Sequence, residues 1–378
     1  MFDNIGDLLK IAEKEVGKTN RERREMQQQA NAPQSPENFS AIRPNAGWLF
    51  YKDYYLHKDA DGGRRFFQHY FSEIDAEIAV VDGKIKRERV RAEQKKLATE
   101  KNQLEQKKPV FFKAKNESLL KCRPSKDDAD RFKIVETPLR LVTGDKGLLT
   151  GTGISHETSN KGEFILGLQF DYATGLPYLP GSSIKGVLRS LFPGHRRNDH
   201  KLGDQYHSLR HKALAHLLGK IWGTDHETTQ SELLARTQTY LKDQHAPNNY
   251  FELLERQIFD GEAPDFNTET GRQKSNENGT PKYCAVRYTD RDLFFDAYIE
   301  KTKGNMLAED VITPHKKPLQ DPIPLSFVKV AADVTFCFQF DLKSSVLLSA
   351  DDKLKLFSEI LKTFGAGAKR RHGFGELK

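Results

Sequence analysis

The chain has few cysteines, no long apolar run and no recognisable leader pattern. Its three cysteines among 378 residues are Cys122, Cys284 and Cys337, which are far apart and form no CxxC pair. This spacing argues against a disulfide framework or a cysteine-ligated zinc site, and it fits a reducing cytoplasm, the localisation we expect. No apolar run reaches the roughly 18 residues that a membrane span needs. The acidic start at Met1 also lacks the basic-then-apolar pattern of a signal peptide.

Positive charge is what the sequence has in excess. It contains 60 Lys and Arg against 53 Asp and Glu, which gives a formal net charge of +7 at pH 7. A charged content of 30% beside a hydrophobic content of 37% describes a soluble chain with much polar surface. Its length is enough to bury a large core, as two domains or as one domain with long insertions. The excess of cations favours an anionic partner, either nucleic acid or a membrane surface.

The strongest chemical signal is the segment Phe364–Gly375, with the sequence FGAGAKRRHGFG. Its four glycines surround a cationic block whose members are Lys369, Arg370, Arg371 and His372. Glycine allows positive φ and a close approach of the backbone to a ligand, and turn N–H groups can cradle an anion. The pattern therefore predicts binding of a chain of phosphates. The alternative is an ordinary helix-to-strand turn whose cations are solvated.

A second anion-binding pattern is the sequence LPYLPGSSIKGVLRSLF, residues 176–192. Ser182 or Ser183 is predicted to cap the helix that follows Pro180 and Gly181. The start of such a helix combines free N–H groups and the helix dipole with the Lys185 ammonium. Arg189 lies one turn further along and can point the same way. The alternative is an ordinary capped helix with a solvent-facing lysine and arginine.

The first third of the chain is polar and charged. Residues 1–44 are predicted to form a short helix and a flexible basic linker. Residues 45–130 combine the aromatic segment Asn45–Tyr55, predicted as a first strand or a docking segment, with a charged helical insert. Within that insert, residues 84–108 predict an exposed basic helix, one half of a hairpin with the segment 66–81.

Residues 131–378 are predicted to form the main domain, with a helical and loop insertion at about 195–279. The predicted strands are Arg131–Val142, Phe164–Phe170, Leu293–Ile299, Phe327–Val330 and Asp333–Asp341. The loop from Thr150 to Gly162 is long enough to suggest a function. The order β–β–α–β–β–α–β, with the last helix before the glycine-rich segment, predicts an α+β, ferredoxin-like sheet with helices on one face.

Histidines are concentrated between residues 195 and 223. His207 and His211 have the i, i+4 spacing of two metal ligands on one helix face. The sequence has no HExxH pattern there and no nearby cysteine, so we interpret these residues as ordinary histidines. We expect no metal ion and no other cofactor.

Several of these stretches together resemble the RAMP superfamily of CRISPR-associated proteins. The stretches that carry the resemblance are FGAGAKRRHGFG, LPYLPGSSIKGVLRS, KIWG, RLVTGDKG, DLFFDAY and DVITPH. The last three are similar to the Cmr-module (type III-B) subunit that caps the 3′ end of the crRNA. The resemblance covers about 45–55 and 132–378; it leaves out the first forty residues, the charged insert and most of 224–279.

The resemblance implies a ferredoxin-like (RRM-like) RAMP fold with long helical and loop insertions. It implies a non-catalytic subunit that binds crRNA and target RNA beside other Cmr-type RAMP subunits, in an antiviral ribonucleoprotein. By position, Gly365, Gly367, Lys369, Arg370 and Gly373 would face the crRNA backbone, flanked by Arg371 and His372. Ser182, Ser183, Lys185 and Arg189 would do the same at the helix start. The loop 150–162 would correspond to a thumb-like hairpin along the guide–target duplex.

Two other functions stay open at the level of sequence. The first is a RAMP endoribonuclease that cleaves repeat or target RNA by general acid–base chemistry, with Asp145, His156, His315 or His372 as candidate groups. The second is a subunit that binds only proteins, with its cations facing acidic neighbours. Salt dependence of RNA binding distinguishes the latter, because phosphate contacts release counterions.

Overall fold

The computed structural model describes residues 45–125, 132–151, 156, 160, 162–165, 167–194, 203–312 and 324–378. The predicted helix and linker of residues 1–44 therefore lie outside the described residues, as do His315 and most of the loop 150–162. Residues 45–378 form one compact unit, so the charged insert and the predicted main domain share one core.

In chain order, the described helices are α1 (Ala46–Tyr51), α2 (Phe67–Arg87), α3 (Arg91–Leu120), α4 (Gly181–Arg189), α5 (Gly203–Trp222), α6 (His226–Leu241), α7 (Tyr250–Glu255) and α8 (Ala350–Phe364). The strands are β1 (Leu56–Lys58), β2 (Arg64–Phe66), β3 (Leu139–Val142), β4 (Tyr178–Leu179), β5 (Glu262–Pro264), β6 (Tyr283–Ala285), β7 (Leu293–Phe294), β8 (Ala297–Thr302), β9 (Leu307–Ile312), β10 (Leu325–Val330), β11 (Val334–Phe338) and β12 (Phe340–Asp341). No described helix is long and apolar enough to cross a membrane.

The central sheet has the strand order β3–β11–β8–β4, and its pairs are antiparallel. The C-terminal residues extend it beyond β3, because Thr143 bridges Leu377 and Val142 exchanges two backbone hydrogen bonds with Lys378. Apart from the two-residue β4 at the far edge, the strands in chain order are β3, β8, β11 and the C-terminal strand. The last of these lies beside the first, the first beside the third, and the third beside the second. With α4 after the first strand and α8 before the last, this is the ferredoxin-like arrangement that the sequence predicted.

Apolar faces of the helices close the core over this sheet. Helix α8 buries Leu356, Phe357, Ile360 and Leu361, and α4 buries Ile184 and Leu188. These residues join Phe336 and Phe338 of β11 in one hydrophobic cluster. Their spacing of three and four residues on the helices and of two on the strand is the periodicity that the sequence shows.

The aromatic segment 45–55 is helical, so the predicted strand is wrong. Helix α1 begins after Asn45, whose side-chain oxygen accepts a hydrogen bond from the Trp48 N–H at 2.7 Å. Phe50 and Tyr54 are four residues apart and are both buried. Residues four apart lie on one face of a helix. In a strand, the residue midway between them would lie on that face as well, because alternate strand residues share a face.

The predicted helical hairpin is confirmed, but the turn between its two helices lies later in the sequence than predicted. The two helices α2 and α3 pair along their length, but the chain turns at residues 88–90 rather than before Lys84. The Glu88 side chain accepts hydrogen bonds from the N–H groups of Arg89 and Val90, both at 2.8 Å. Residues 84–87 consequently belong to the last turn of α2.

Two predicted strands are shorter than expected or missing. Only 139–142 of the run 131–142 forms a strand, because Pro138 cannot donate a ladder hydrogen bond. The segment 164–170 contains no strand among its described residues: Ile165 donates one hydrogen bond to Ser326, and Phe170 bridges Pro177. Burial of Phe164 and Leu168, rather than sheet pairing, explains its apolar pattern.

The other predicted strands agree with the structure in outline. The run 293–299 divides into β7 and β8. Two strands, β10 and β11, lie where alternation predicted them. All three cysteines are free, in agreement with the argument against a disulfide framework.

Candidate nucleic-acid interface

The glycine loop, residues 364–375, follows α8 and leads into the last strand. A backbone hydrogen bond from Ala366 to Gly375 at 2.9 Å closes the loop on itself. Two others hold it against the body of the protein: Ala368 donates to Leu149 at 2.9 Å and Gly375 to Gly147 at 2.8 Å. The turn after β3 is therefore the platform on which the glycine loop lies. This explains how residues more than 200 positions apart in sequence form one surface.

Three glycines of this loop, of which Gly365 and Gly375 are buried and Gly367 is half-buried, pack closely against protein backbone. A Cβ atom on Gly375 would lie 1.9 Å from the Ala366 oxygen, and one on Gly367 would lie 2.2 Å from the Leu149 oxygen. One on Gly365, which is buried, would lie 2.3 Å from the Gly375 oxygen. All three have positive φ. The backbone that these glycines approach is the protein's own, and the predicted contact of Gly365 and Gly367 with the RNA backbone stays a prediction.

The cationic block occupies the outer side of the loop. Lys369 has left-handed backbone angles, and Arg370, Arg371 and His372 form one turn of 3₁₀ helix that ends at Gly373. Successive left- and right-handed residues direct neighbouring N–H groups into a common concavity that suits an anion. Arg370, Arg371 and His372 are exposed. The structure therefore places the cations where a phosphate chain can reach them.

Individual contacts fix the directions of these side chains. An Nη1 group of Arg370 donates to the Phe364 carbonyl oxygen at 3.1 Å, which caps the end of α8. The Nζ atom of Lys369 lies 5.9 Å from the ring centre of Phe327. Its neighbour Lys329 lies 5.3 Å from the ring of Phe374, which packs edge-on against Phe327. Two ammonium groups thus lie over one aromatic pair.

A groove of about 560 Å³ runs beside the loop. Its lining residues are Lys146, Asp310, Val311, Ile312, Lys369, His372 and Phe374. Lys146 forms one wall, and its Nζ atom donates to the His372 carbonyl oxygen at 3.0 Å. The sequence patterns did not single out Lys146 or Lys329, because nothing local shows that a turn lysine and a strand lysine will meet the glycine loop.

The groove also contains one carboxylate. Asp310 accepts a hydrogen bond from Lys329 Nζ at 2.6 Å. Burial by itself would raise the pKa of Asp310, but the hydrogen bonds from Lys329 and the Val311 N–H outweigh it and hold that pKa below its usual value. Asp310 therefore stays ionised at neutral pH and offsets the charge of Lys329. The net positive charge of the groove comes from Lys146 and the loop.

The start of α4 differs from its prediction. Neither Ser182 nor Ser183 caps the helix; Pro180 precedes it, and the Gly181 N–H donates to Asp296 at 2.7 Å. A carboxylate from the strand side takes the place of the predicted serine cap, so the helix start is already neutralised. Both serines are exposed, and the Lys185 Nζ lies 5.5 Å from the Phe294 ring. RNA contact by these three residues stays a prediction.

Arg189 has internal partners. Its Nε donates to Glu255 at 2.9 Å, and its two terminal nitrogens donate to both oxygens of Asp260 at 3.0 and 2.9 Å. The side chains of Glu255 and Asp260 are 0% and 5% exposed. A guanidinium in such a bidentate arrangement holds the insertion to α4. The geometry thus favours a structural role for Arg189 over the predicted contact with RNA.

The two cationic segments lie at opposite ends of the sheet. Leu179, just before α4, pairs with Ala297, which is level with the first residues of β3. The glycine loop leads to Leu377, which pairs with Thr143 past the other end of β3. The two segments are therefore separated along the strands, and whether they serve one RNA-binding face stays a prediction. The site that the structure supports is built on the glycine loop alone.

The candidate acid–base groups of the nuclease alternative are dispersed. Asp145 is 94% exposed and accepts a hydrogen bond from Lys378 Nζ at 2.9 Å. His156 is 1% exposed and stacks on Phe50 at 4.0 Å between ring centres. Burial lowers the pKa of His156 to about 4, although its hydrogen bond to the Phe50 carbonyl opposes this. His372 lies at the groove, and His315 lies outside the described residues.

Nothing in the described ranges assembles a metal site. No group of three or more histidine, cysteine, aspartate or glutamate residues has the geometry to hold an ion there. His211, one of the two helix-spaced histidines, shares a hydrogen bond of 2.9 Å with Glu252. The expected absence of a metal stays a prediction for the chain as a whole.

Comparison with known proteins adds a family match. The model of the RAMP superfamily matches residues 134–378, well over half of the chain. No curated protein matches. Among solved structures, similarity is found to a chain of the cryo-EM structure of the type III-B Cmr-beta complex bound to cognate target RNA, with 19% identity, 74% of each chain covered and a TM-score of 0.41.

Two further solved structures are similar. The crystal structure of Cmr6 from Pyrococcus furiosus shares 21% identity, with 64% of this chain and 96% of that chain covered and a TM-score of 0.30. The crystal structure of Csm5 from T. onnurineus shares 17% identity, with 56% and 51% covered and a TM-score of 0.19. The function proposed for this chain rests on the geometry of the glycine loop and its groove, and not on these structural similarities.

Proposed function

The chain belongs to the RAMP superfamily, and from this premise we propose that it is a non-catalytic RNA-binding subunit of a type III-B CRISPR interference ribonucleoprotein. It binds the sugar-phosphate backbone of crRNA near the 3′ end, contacts the guide–target duplex and ends the filament of Cmr-type subunits. The observation that carries this proposal is the cationic outer side of the glycine loop, supported from beneath by the turn after β3.

The physical basis of binding is charge presented on a fixed backbone. Lys369, Arg370 and Arg371 project from a loop that three internal hydrogen bonds hold, so little conformational freedom is lost when RNA binds. Each phosphate that such a side chain neutralises releases condensed counterions. Contacts of this kind fix position and orientation without reading bases, so binding is largely independent of sequence.

A role without catalysis agrees with the environment of the candidate groups. General acid–base catalysis needs a second group within hydrogen-bond reach of the reacting atoms. Asp145 is paired with a lysine in solvent, and His156 is enclosed by aromatic rings. His372 contributes its backbone carbonyl oxygen to the groove, where it accepts a hydrogen bond from Lys146. These placements support binding by this surface over cleavage.

The experiment is RNA binding by the full chain at a series of salt concentrations. The variant Lys369→Ala with Arg370→Ala removes two proposed phosphate contacts, so the slope of log K against log salt becomes shallower by about 1.4, at about 0.7 per contact. The matched control is Lys212→Ala with Arg272→Ala, which removes the same two residue types from exposed positions of the insertion.

The two double variants carry the same net charge, so a general electrostatic effect changes both slopes equally. A change confined to the loop variant supports the proposal, and equal slopes for the wild type and the loop variant refute it. Replacing the RNA sequence at constant length leaves the difference unchanged, because phosphates rather than bases are bound.

A further inference from the structure

The helical hairpin of α2 and α3 projects beyond the hydrophobic core. The core cluster reaches Ile78 on α2 and Leu104 on α3, and it contains no residue nearer the turn. From Leu104 back to Arg91 is 13 residues, which is about 20 Å of helix at 1.5 Å per residue. The last turns of the hairpin therefore pack on each other rather than on the body of the protein.

Along the body of the hairpin, four of the five lysines of α3 are paired with carboxylates; the exposed Lys113 is the exception among the described residues. The pairs are Lys101–Asp82 at 2.8 Å, Lys107–Glu77 at 3.1 Å, Lys108–Asp75 at 2.7 Å and Lys115–Asp53 at 2.6 Å. Three of these connect α3 to α2, and the fourth connects α3 to the segment after α1. On this part of α3, carboxylates of the protein itself neutralise the paired lysines.

The tip of the hairpin, residues 84–96, is different. It contains seven cationic and two acidic side chains. The cationic residues, all exposed, are Lys84, Lys86, Arg87, Arg89, Arg91, Lys95 and Lys96. Of the two carboxylates, Glu88 is occupied with the backbone N–H groups of the turn, and Glu93 pairs with Lys96. The other six cations make no ion pair within the described part of the chain.

Helix stability accounts for only part of this charge. Lys84, Lys86 and Arg87 lie in the last turn of α2, where cations are favoured by the helix dipole. Arg91 and Lys95 lie in the first two turns of α3, where the same dipole disfavours them. They are also like charges at i, i+4, which destabilises a helix further. The sequence maintains positive charge at the tip against both local effects.

The composition of the tip favours a polyanion over an acidic protein. Stable protein interfaces have an apolar centre with few charges. The large apolar side chain exposed at the tip is Val90, and it is surrounded by cations. A phosphate backbone requires no apolar centre, because release of counterions drives its binding.

We propose that the tip of the α2–α3 hairpin is a second nucleic-acid surface, which binds the phosphate backbone of RNA without reading its sequence. It lies outside the region that the RAMP superfamily model matches, and it depends on neither the glycine loop nor its groove.

The experiment compares two fourfold variants of the full chain. Lys86→Gln, Arg87→Gln, Arg89→Gln and Arg91→Gln together remove four charges, and the salt slope of RNA binding becomes shallower by up to about 2.8 at about 0.7 per contact. The second variant, Lys86→Arg with Arg87→Lys, Arg89→Lys and Arg91→Lys, keeps the charges and keeps the slope. Circular dichroism checks that the hairpin remains helical in both variants.

Three results overturn this proposal. The first is an unchanged slope in the glutamine variant. The second is an equal loss in the charge-preserving variant, which assigns the effect to hairpin structure. The third is normal RNA binding combined with failure to assemble with neighbouring subunits, which assigns the tip to an acidic protein.

Combining the tip and loop variants separates the two proposals, because independent surfaces give additive slope changes and either one can fail alone.

Discussion

Lys146 donates a hydrogen bond from its Nζ atom to the backbone carbonyl oxygen of His372, at a distance of 3.0 Å. This contact joins the turn after the first strand of the sheet to the cationic block that precedes the last. It places one more ammonium group beside Lys369 in the groove, and it fixes the end of the 3₁₀ turn from outside. The proposed RNA-binding surface therefore combines residues from near the first and the last strand of the sheet.

Removing this ammonium group is expected to loosen the loop without unfolding the protein. Lys146→Met keeps the aliphatic part of the side chain and loses one exposed hydrogen bond, which contributes about 1 kcal/mol. Hydrogen exchange in a peptide containing residues 370–375 becomes faster, while the midpoint of thermal unfolding changes little. The control Lys301→Met, at an exposed position of β8, leaves exchange in that peptide unchanged; faster exchange in both variants contradicts the role of Lys146.

Two glycine-to-alanine changes are expected to have opposite effects on stability. Gly375→Ala requires positive φ for an alanine and puts its Cβ 1.9 Å from the Ala366 oxygen, so it destabilises by more than about 2 kcal/mol. Gly186→Ala lies inside α4 with nothing within 4 Å of the new atom, so it stabilises by about 0.5–1 kcal/mol. Urea unfolding measures both, and a loss of similar size at the two positions rejects the packing role of the loop glycine.

Arg189→Ala is expected to lower stability and to leave the salt dependence of RNA binding unchanged. It removes the guanidinium that Glu255 and Asp260 share, which leaves two buried carboxylates without this cation and costs about 3–5 kcal/mol. Arg189→Lys is expected to rescue little, because one ammonium cannot reproduce the bidentate arrangement. Binding is measured at a temperature where the variant is folded; a shallower salt slope there returns Arg189 to the RNA interface.

The free energy of unfolding is expected to decrease as the pH falls from 7 to 5, because His156 is buried in its neutral form. The pKa of this histidine is about 4 in the folded protein, lowered by burial, against about 6.5 when unfolded. Between these values the unfolded chain binds more protons, so unfolding becomes easier as the pH falls, by about 2 kcal/mol at pH 5. Urea unfolding at pH 7 and pH 5 measures the loss. His156→Phe removes this contribution and flattens the dependence, and an unaltered dependence in that variant assigns it to other groups.

The endoribonuclease alternative is tested with guide-bound target RNA. We expect no site-specific cleavage by the wild-type chain, and the same result for Asp145→Ala. Gel analysis of end-labelled RNA, with and without added divalent cations, detects any product. Cleavage at one position by the wild type that disappears in Asp145→Ala establishes a nuclease and removes the non-catalytic part of the proposal.

The sequence determined much of this protein because several of its signals are local. The 3.6-residue pattern of α8, the alternation of β10 and β11, and the glycine-rich stretch each depend on neighbouring residues, and together they were enough for the ferredoxin-like fold. The helical hairpin was predicted in the same way, from strong helix formers without a glycine or proline between residues 84 and 108.

Only the tertiary structure decided which charges are available to a ligand. Arg189 and Arg370 have the same side chain and were both predicted to contact RNA. The first is held by two buried carboxylates from a distant insertion, whereas the second lies exposed on the glycine loop. Likewise, Gly367 approaches the backbone of Leu149 rather than a phosphate. Charge and packing act through space, so partners more than 60 residues away along the chain leave no trace in a local pattern.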